Sequence, residues 1–319
     1  MLGIDVNEAQ NGDFMAALSL AESVGMEVAS LTVYWDELET APGVYNPVPN
    51  WLEIANIFYP LQQMKLQLNV VPLDTIQNRM PADLRGRSWD DPLVISRFQD
   101  VLTYVFAQIP AVQLVSVSIG NEVDVAIAGN TSVWEQYQRF FSATAAYARL
   151  LRPGVQIGVK TTYDGAMVKA PAPINRLNQS SDVILITYYP LWSNYTVKHP
   201  SVVLPDWQAL LKAFPSKPII FAEIGYPSSS TSQSSQAKQK AFVDRVFEAW
   251  DIYQDRIPLL MFVRLHDISD AEAAGLAADY GLSSARSVAF LKTLGLRLYT
   301  GTDKLAFATL KQHTYIRGW

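Results

Sequence analysis

The chain has 319 residues, 49% hydrophobic and 17% charged, which is enough apolar material for a large buried core and carries no compositional sign of disorder. Its formal net charge of −5 argues against nucleic acid as a partner, because phosphate binding needs a concentrated Lys/Arg surface. Cysteine is absent, which excludes disulfides and thiolate metal sites; the three histidines, at 199, 266 and 313, lack metal-ligand spacing, so neither a metal nor another cofactor is expected.

The first element is a strand over residues 2–7, and no basic segment with an apolar stretch precedes it. An export signal is therefore expected to have been removed or never to have existed. A helix over 14–25 follows, then a strand over 27–34 that ends in Tyr34-Trp35 and runs into an acidic loop holding Asp36, Glu37 and Glu39. Acidic groups in such a loop are expected to be solvated. Next come a helix over 51–64, a strand over 66–73, a long loop containing Trp89 and a helix over 94–108. The fourth strand, 113–120, runs straight into Asn121-Glu122, and the helix over 134–151 leads to a fifth strand over 155–161 with Tyr163-Asp164 beyond it. The sixth strand, 183–189, ends in Tyr188-Tyr189 with Trp192 after it, and the seventh, 218–223, delivers Glu223. A serine-rich run over 227–236 reads as a flexible loop that could gate a cleft. A helix over 236–253 leads to the eighth strand, 258–264, which ends at Arg264 with His266 two residues on. A last helix is expected over 285–293, and the tail after it has no assigned packing. No run of about 18 apolar residues occurs, so no membrane span is expected.

Eight strand-helix units predict an α/β fold, either a closed (β/α)8 TIM barrel or an open doubly wound sheet. The open sheet is disfavoured, because Asp5-Val6-Asn7-Glu8-Ala9 stands where a Gly-rich phosphate loop belongs. A barrel of roughly 250 residues with loop insertions accounts for one domain over 1–319. Reactive groups are then expected where strands end and βα loops begin. Glu122 and Glu223 stand there, after strands too apolar to carry a carboxylate incidentally. Glycosidic bond cleavage needs such a pair, one carboxylic acid to protonate the leaving oxygen and one carboxylate to attack or to activate water. The bland alternative is that Glu122 caps a helix and Glu223 is a buried ion-pair partner.

SIGNEVD at 118–124 and FAEIGYPSS at 221–229 resemble the two signature strand ends of clan A retaining glycoside hydrolases, and the likeness spans the whole eightfold layout. The resemblance implies that Glu122 is the acid/base, that Glu223 is the nucleophile, and that Asn121 hydrogen-bonds the sugar 2-hydroxyl. It also implies a strand-six tyrosine that hydrogen-bonds the nucleophile; Tyr188 is favoured over Tyr189. YWDELETAPGVY at 34–45 is similar to the strand-two loop of several families of the clan. Where several of those families carry a tryptophan at the end of strand eight, this chain has FVRLHD at 262–267. The motif wording is nearest to families acting on β-1,3-glucans and β-1,4-galactans.

Sugar sites combine aromatic platforms with a few polar groups that fix orientation. Tyr34, Trp35, Tyr163, Trp192 and Tyr226 are the aromatic candidates, with Trp89 in addition; each taken singly also reads as a packing residue. Arg264 and His266 are candidates to hold a hydroxyl, or, for Arg264, to form an ion pair within the barrel. The expected partner is a β-linked glycan, and the expected location is extracytoplasmic, with the cytoplasm an open alternative. Three rivals differ in chemistry: a transglycosylase, a non-catalytic glycan-binding barrel, and an aldolase or isomerase. The last would need a strand-end lysine, for which Lys160 is the only candidate and no phosphate loop accompanies it.

Overall fold

The computed structural model describes every residue from Met1 to Trp319. Eight parallel strands build the barrel: β1 (Leu2–Ile4), β2 (Val28–Tyr34), β3 (Lys65–Asp74), β4 (Leu114–Asn121), β5 in two pieces (Ile157–Gly158 and Lys160–Thr162), β6 (Ile184–Tyr188), β7 (Ile219–Ile224) and β8 (Leu259–Phe262). The order through the sheet starts at the first piece of β5, passes β4, β3, β2, β1, β8, β7 and β6, and ends at the second piece of β5. The first piece pairs in parallel with β4, Val117 facing Ile157; the second pairs in parallel with β6, Leu185 facing Lys160. One strand therefore bounds the sheet on both sides, which makes it a nearly closed (β/α)8 barrel. β3 is buried along Leu66–Asp74, and its polar Gln67 and Asn69, which alternate with Leu66, Leu68 and Val70, are buried as well.

The main barrel helices are α1 (Phe14–Glu22), α2 (Trp51–Leu61), α3 (Pro92–Gln108), α4 (Thr131–Leu151), α5 (Pro171–Leu177), α6 (Val203–Ala213), α7 (Gln236–Tyr253) and α8 (Leu305–Arg317). Five of them begin after a side chain that accepts a hydrogen bond from an orphan backbone N–H: Asp13, Asn50, Asp91, Asn130 and Ser235.

The chain end departs from expectation. The helix over Ala285–Lys292 is not the last barrel helix; it packs with a capped helix over Asp270–Asp279, and Ala277, Phe290, Leu291 and Leu294 form its core. The tail supplies α8 instead. Its Ala306, Phe307 and Leu310 are buried, the His313 ring stacks 4.7 Å from Phe247, and Trp319 meets Trp250 edge-on at 4.8 Å. Lys304, just before α8, is fully buried and its Nζ donates to Asp267 Oδ1 at 2.6 Å, Gly295 O at 2.7 Å and Ser228 Oγ at 2.9 Å.

Packing divides the chain into two compact units, one of Met1–Glu27, Tyr188–Pro215 and Phe221–Trp319, the other of Val28–Thr187 and Ser216–Ile220. In the first, Trp207 stacks on Phe221 at 4.2 Å, and Phe242 lies against Tyr226. In the second, Phe98 packs edge-on against Trp35, and Phe140 joins Phe98 to Trp89 and Tyr137. No helix is long and apolar enough to cross a membrane.

Candidate active site

Glu122 leaves the end of β4 in the left-handed conformation, with φ 43° and ψ 42°. A non-glycine residue there is unusual and costs roughly 1 kcal/mol or more. The turn is prepared by Gly120 at φ +98°, where an added Cβ would stand 2.4 Å from the Tyr137 hydroxyl. The half-buried Glu122 carboxyl accepts a 2.6 Å hydrogen bond at Oε1 from Thr187 Oγ1 on β6 and a 3.4 Å one at Oε2 from Thr75 Oγ1 just after β3. Asn121 Nδ2 donates to Asp74 Oδ1 at 2.7 Å, and its own Oδ1 is buried without a partner. Asp124 accepts from Thr162 N and Oγ1 at 2.9 and 2.6 Å, tying the loop after β4 to the loop that carries Tyr163. Burial raises the Asp124 carboxyl above the usual carboxylate range.

Glu223, half-buried at the end of β7, accepts a 2.6 Å hydrogen bond at Oε2 from the Tyr189 hydroxyl. Gly225 makes room for that ring, since a Cβ there would lie 2.7 Å from Tyr189 Cε1. The expectation that Tyr188 makes this contact is corrected: Tyr188 is fully buried, and its hydroxyl donates to Asp206 Oδ2 on α6 at 2.7 Å. Successive strand side chains point to opposite faces, so Thr187 and Tyr189 share a direction that Tyr188 does not.

The aromatic candidates separate by exposure. Trp192 is 61% exposed, with Lys198 Nζ 5.2 Å from its ring centre, and Tyr163 is half-buried. Tyr34 is half-buried with the Arg79 guanidinium over its ring at 4.1 Å. Trp35 and Tyr226 are corrections, because both are packing residues. Trp35 is fully buried and its Nε1 donates to Glu39 Oε2 at 2.7 Å; Tyr226 is buried against Phe242 with its hydroxyl on Lys198 O at 2.7 Å. Trp89 is likewise core.

The acidic loop after β2 is also not uniformly solvated. Glu39 is buried and bound by Arg97 Nη2 at 2.7 Å, Asp36 is bridged by Arg79 and Arg85, and Glu37, the exposed one, meets Arg79. Arg264 is half-buried, and its charge only in small part opposes the burial that raises the Asp267 carboxyl to about 6. His266 is buried and held by Asn7, which accepts from its backbone N at 2.8 Å, donates to its carbonyl at 2.9 Å and receives the ring Nδ1–H at its own carbonyl at 2.7 Å. Such a histidine joins the ends of β1 and β8 and is not offered to a ligand. The serine-rich run is packed rather than free, with Ser232 fully buried and Ser228 Oγ on Thr293 O. No group of three or more His, Asp or Glu is arranged to hold a metal ion.

Thr187 and Thr75 beside Glu122, and Asp74 beside Asn121, are not among the expected site residues, and Tyr189, the alternative to Tyr188, is the one beside Glu223. Strand alternation carries a signal for Thr187 and Tyr189, and the rule that chemistry sits at strand ends carries one for Asp74.

The family model described as glycosyl hydrolase family 53 matches residues 95–252, just under half of the chain, a stretch that contains both Glu122 and Glu223. A search of curated proteins by sequence finds no match. Among solved structures, the exo-β-1,4-mannosidase Op5Man5 from Opitutaceae bacterium strain TAV5 superposes with a TM-score of 0.74 at 16% identity, covering 99% of this chain and 59% of its own. This chain thus spans well under two thirds of that protein's length. A GH5_18 protein from Bifidobacterium longum subsp. longum, in complex with Manβ1-4GlcNAc, gives 0.73 at 13% identity over 99% of this chain and 78% of its own. A family 39 glycoside hydrolase from Bacteroides cellulosilyticus WH2 gives 0.67 at 11% identity over 99% and 63%. The family match and the folds agree on one class, the glycoside hydrolases.

Proposed function

We propose that this chain, whose barrel is that of the clan A glycoside hydrolases, is a retaining β-glycosidase that cleaves an oligo- or polysaccharide by double displacement within one catalytic domain. The carboxylate of Glu223 attacks the anomeric carbon while Glu122 gives its proton to the departing glycosidic oxygen, which leaves a glycosyl ester on Glu223. Water then loses a proton to Glu122 and attacks the same carbon, releasing the sugar and the Glu223 carboxylate. Asn121 meets the 2-hydroxyl of the sugar whose bond is cleaved, Trp192 and Tyr163 offer ring faces to the glycan, and Arg264 takes a hydroxyl.

The observation that carries the reading is the pair of half-buried carboxylates at the ends of β4 and β7, each held by hydroxyl donors. β-1,4-linked glycans lead the list of substrates, because two of the structural relatives are named for β-1,4-mannosyl compounds and the motif wording resembles β-1,4-galactanases. A polymeric substrate fits action outside the cytoplasm.

The test is a panel of aryl β-glycosides with β-mannan, β-galactan and β-glucan, run on the wild-type protein, Glu223→Gln and Glu122→Ala. Glu223→Gln should lose more than about a thousandfold in turnover, as deletion of a nucleophile does. Glu122→Ala should regain turnover of dinitrophenyl glycosides with azide, giving a β-glycosyl azide. Near-normal activity of Glu223→Gln, or an inverted first product, overturns the assignment. Added sugar acceptors show whether water or sugar resolves the intermediate.

A further inference from the structure

After β2 the chain folds into a hairpin of two short antiparallel strands, Glu39–Ala41 and Val44–Tyr45, turned at Gly43 with φ +73°. The hairpin is pinned at Glu39, which is held by Arg97 of α3 and accepts the Gly43 N–H at 2.7 Å. Its second strand lies against α3 through two rings, Tyr45 and Tyr104, stacked 4.9 Å apart at 15°. A cleft of about 360 Å³ opens there, lined by Gly43, Tyr45, Asp100, Thr103 and Tyr104. Solvent reaches it, since both tyrosines are half-buried and the other three residues are exposed.

Ring stacking fastens the hairpin to the helix, and packing alone accounts for that. It does not account for the open hollow or for its rim. The exposed Asp100 carboxylate takes part in no hydrogen bond or ion pair. Its charge is felt at Tyr45, whose hydroxyl is pushed up to about 12 by burial, then by Glu39 and Asp100. The Tyr104 hydroxyl accepts from Asn50 Nδ2 at 3.3 Å, and the same amide donates to Gln108 Oε1 at 3.1 Å, so the ring is held in place. Trp51, the residue after Asn50, is 56% exposed at the start of α2.

A sugar ring has an apolar C–H face and a rim of hydroxyls, so an aromatic face with an acceptor at its edge recognises it. The tyrosines and Trp51 supply rings, and a carboxylate can accept from two neighbouring hydroxyls at once. No Lys or Arg lines the cleft, which selects a neutral glycan over an acidic one. Asp100 is its one carboxylate, so the pair that glycosidic cleavage needs is missing. The cleft can hold a glycan and cannot cut it.

We propose that the cleft between the hairpin and α3 is a second carbohydrate site, which holds a neutral stretch of the polysaccharide while another stretch is cleaved. The inference takes its ligand class from the glycosidase reading. Its benefit is effective concentration, because a chain held at one point meets the candidate active site more often.

The test runs Glu223→Gln on native gels containing β-mannan, β-galactan or β-glucan and reads the dissociation constant from the retardation. On the polysaccharide that retards it most, adding Asp100→Ala should raise that constant about five- to tenfold, and adding Tyr104→Ala should do the same. Asp100→Ala removes no contact within the chain, so it should keep the melting temperature of its parent even where Tyr104→Ala loosens the hairpin. In the active protein, Asp100→Ala should lower kcat/KM on that polysaccharide about fivefold and leave a small aryl β-glycoside within about twofold. Unchanged retardation of the Asp100→Ala protein on all three gels overturns the inference, and so does an equal kinetic loss on polysaccharide and aryl glycoside. Retardation that depends on Asp100, in a protein inactive on every glycoside, sinks the glycosidase reading and leaves the second site standing.

Discussion

The Tyr189 hydroxyl lies 2.6 Å from Oε2 of Glu223 and can only be donating to it, because a carboxylate has nothing to give. A hydrogen bond to a charged acceptor is worth roughly 1.5–3 kcal/mol, and here it also fixes the direction of the proposed nucleophile. Tyr189→Phe should therefore lower kcat by about 10- to 100-fold and leave the melting temperature nearly unchanged. Tyr188→Phe, one residue earlier, should do the reverse. Its hydroxyl serves Asp206, so its loss should cost about 1–3 kcal/mol of stability with kcat intact. Steady-state kinetics and urea unfolding of both variants check the crossover; equal kinetic losses would refute it.

Thr187 holds the other glutamate, with its hydroxyl 2.6 Å from Glu122 Oε1. Valine keeps the shape and removes the donor. If Glu122 is the general acid, Thr187→Val should depend on how much acid the substrate needs. For an alkyl glycoside, whose leaving group must be protonated, kcat/KM should drop about tenfold, equivalent to one ordinary hydrogen bond of about 1.4 kcal/mol. For a dinitrophenyl glycoside, which leaves unaided, kcat/KM should hold. Equal losses on the two leaving groups would place Thr187 outside the proton transfer.

Much of this architecture can be read before any coordinates. Strand runs and capping residues are local signals, so the eight strands and the helices begun by Asp13, Asn50, Asp91, Asn130 and Ser235 follow from short stretches of chain. What escapes is whatever depends on a distant partner. Trp35 reads as a sugar platform until Glu39, itself fixed by Arg97 58 positions away, takes its indole N–H. The choice between Tyr188 and Tyr189 turns on which face of β6 meets α6. α8 lacks a side-chain cap at Lys304, which is occupied instead by the buried contact with Asp267. Asp74 stands at the end of its strand, and its bond to Asn121 appears once β4 is set beside β3.

Arg97 carries a prediction about stability. The buried Glu39 carboxyl receives Arg97 Nη2 at 2.7 Å and Nε at 3.0 Å, the Gly43 N–H at 2.7 Å and the Trp35 indole; Arg97 also reaches Asp83. Removing one partner of a buried pair strands the other charge, an effect of about 3–5 kcal/mol. Arg97→Met should therefore destabilise the chain by that amount. Adding Glu39→Gln, which removes the stranded charge, should recover part of the loss. Urea unfolding of the two variants decides it, and a double variant weaker than Arg97→Met would contradict the account.

His266 gives the chain a pH dependence of stability whose sign follows from its burial. Burial holds its imidazole below the ordinary value of 6.5, opposed by the bond to the Asn7 carbonyl, with Arg297 lowering it further and Asp303 raising it. In the unfolded chain the ring takes up a proton near pH 6.5, whereas in the fold it does so only at lower pH. The unfolded state thus binds more protons in that window, and stability falls as pH drops below 6.5, by at most about 1.4 kcal/mol per pH unit. Asp267 acts in the opposite sense: burial lifts its carboxyl to about 6, so the fold holds that proton more tightly than the unfolded chain between the ordinary carboxylate value and there. The cleanest reading is therefore the difference between the wild type and His266→Asn, which keeps a donor for Asn7 and cannot titrate. Between pH 7.5 and 5.5 the wild type should lose stability that the variant retains. Parallel unfolding curves for the two proteins across that range would show that the His266 ring takes up its proton equally in the folded and unfolded chain.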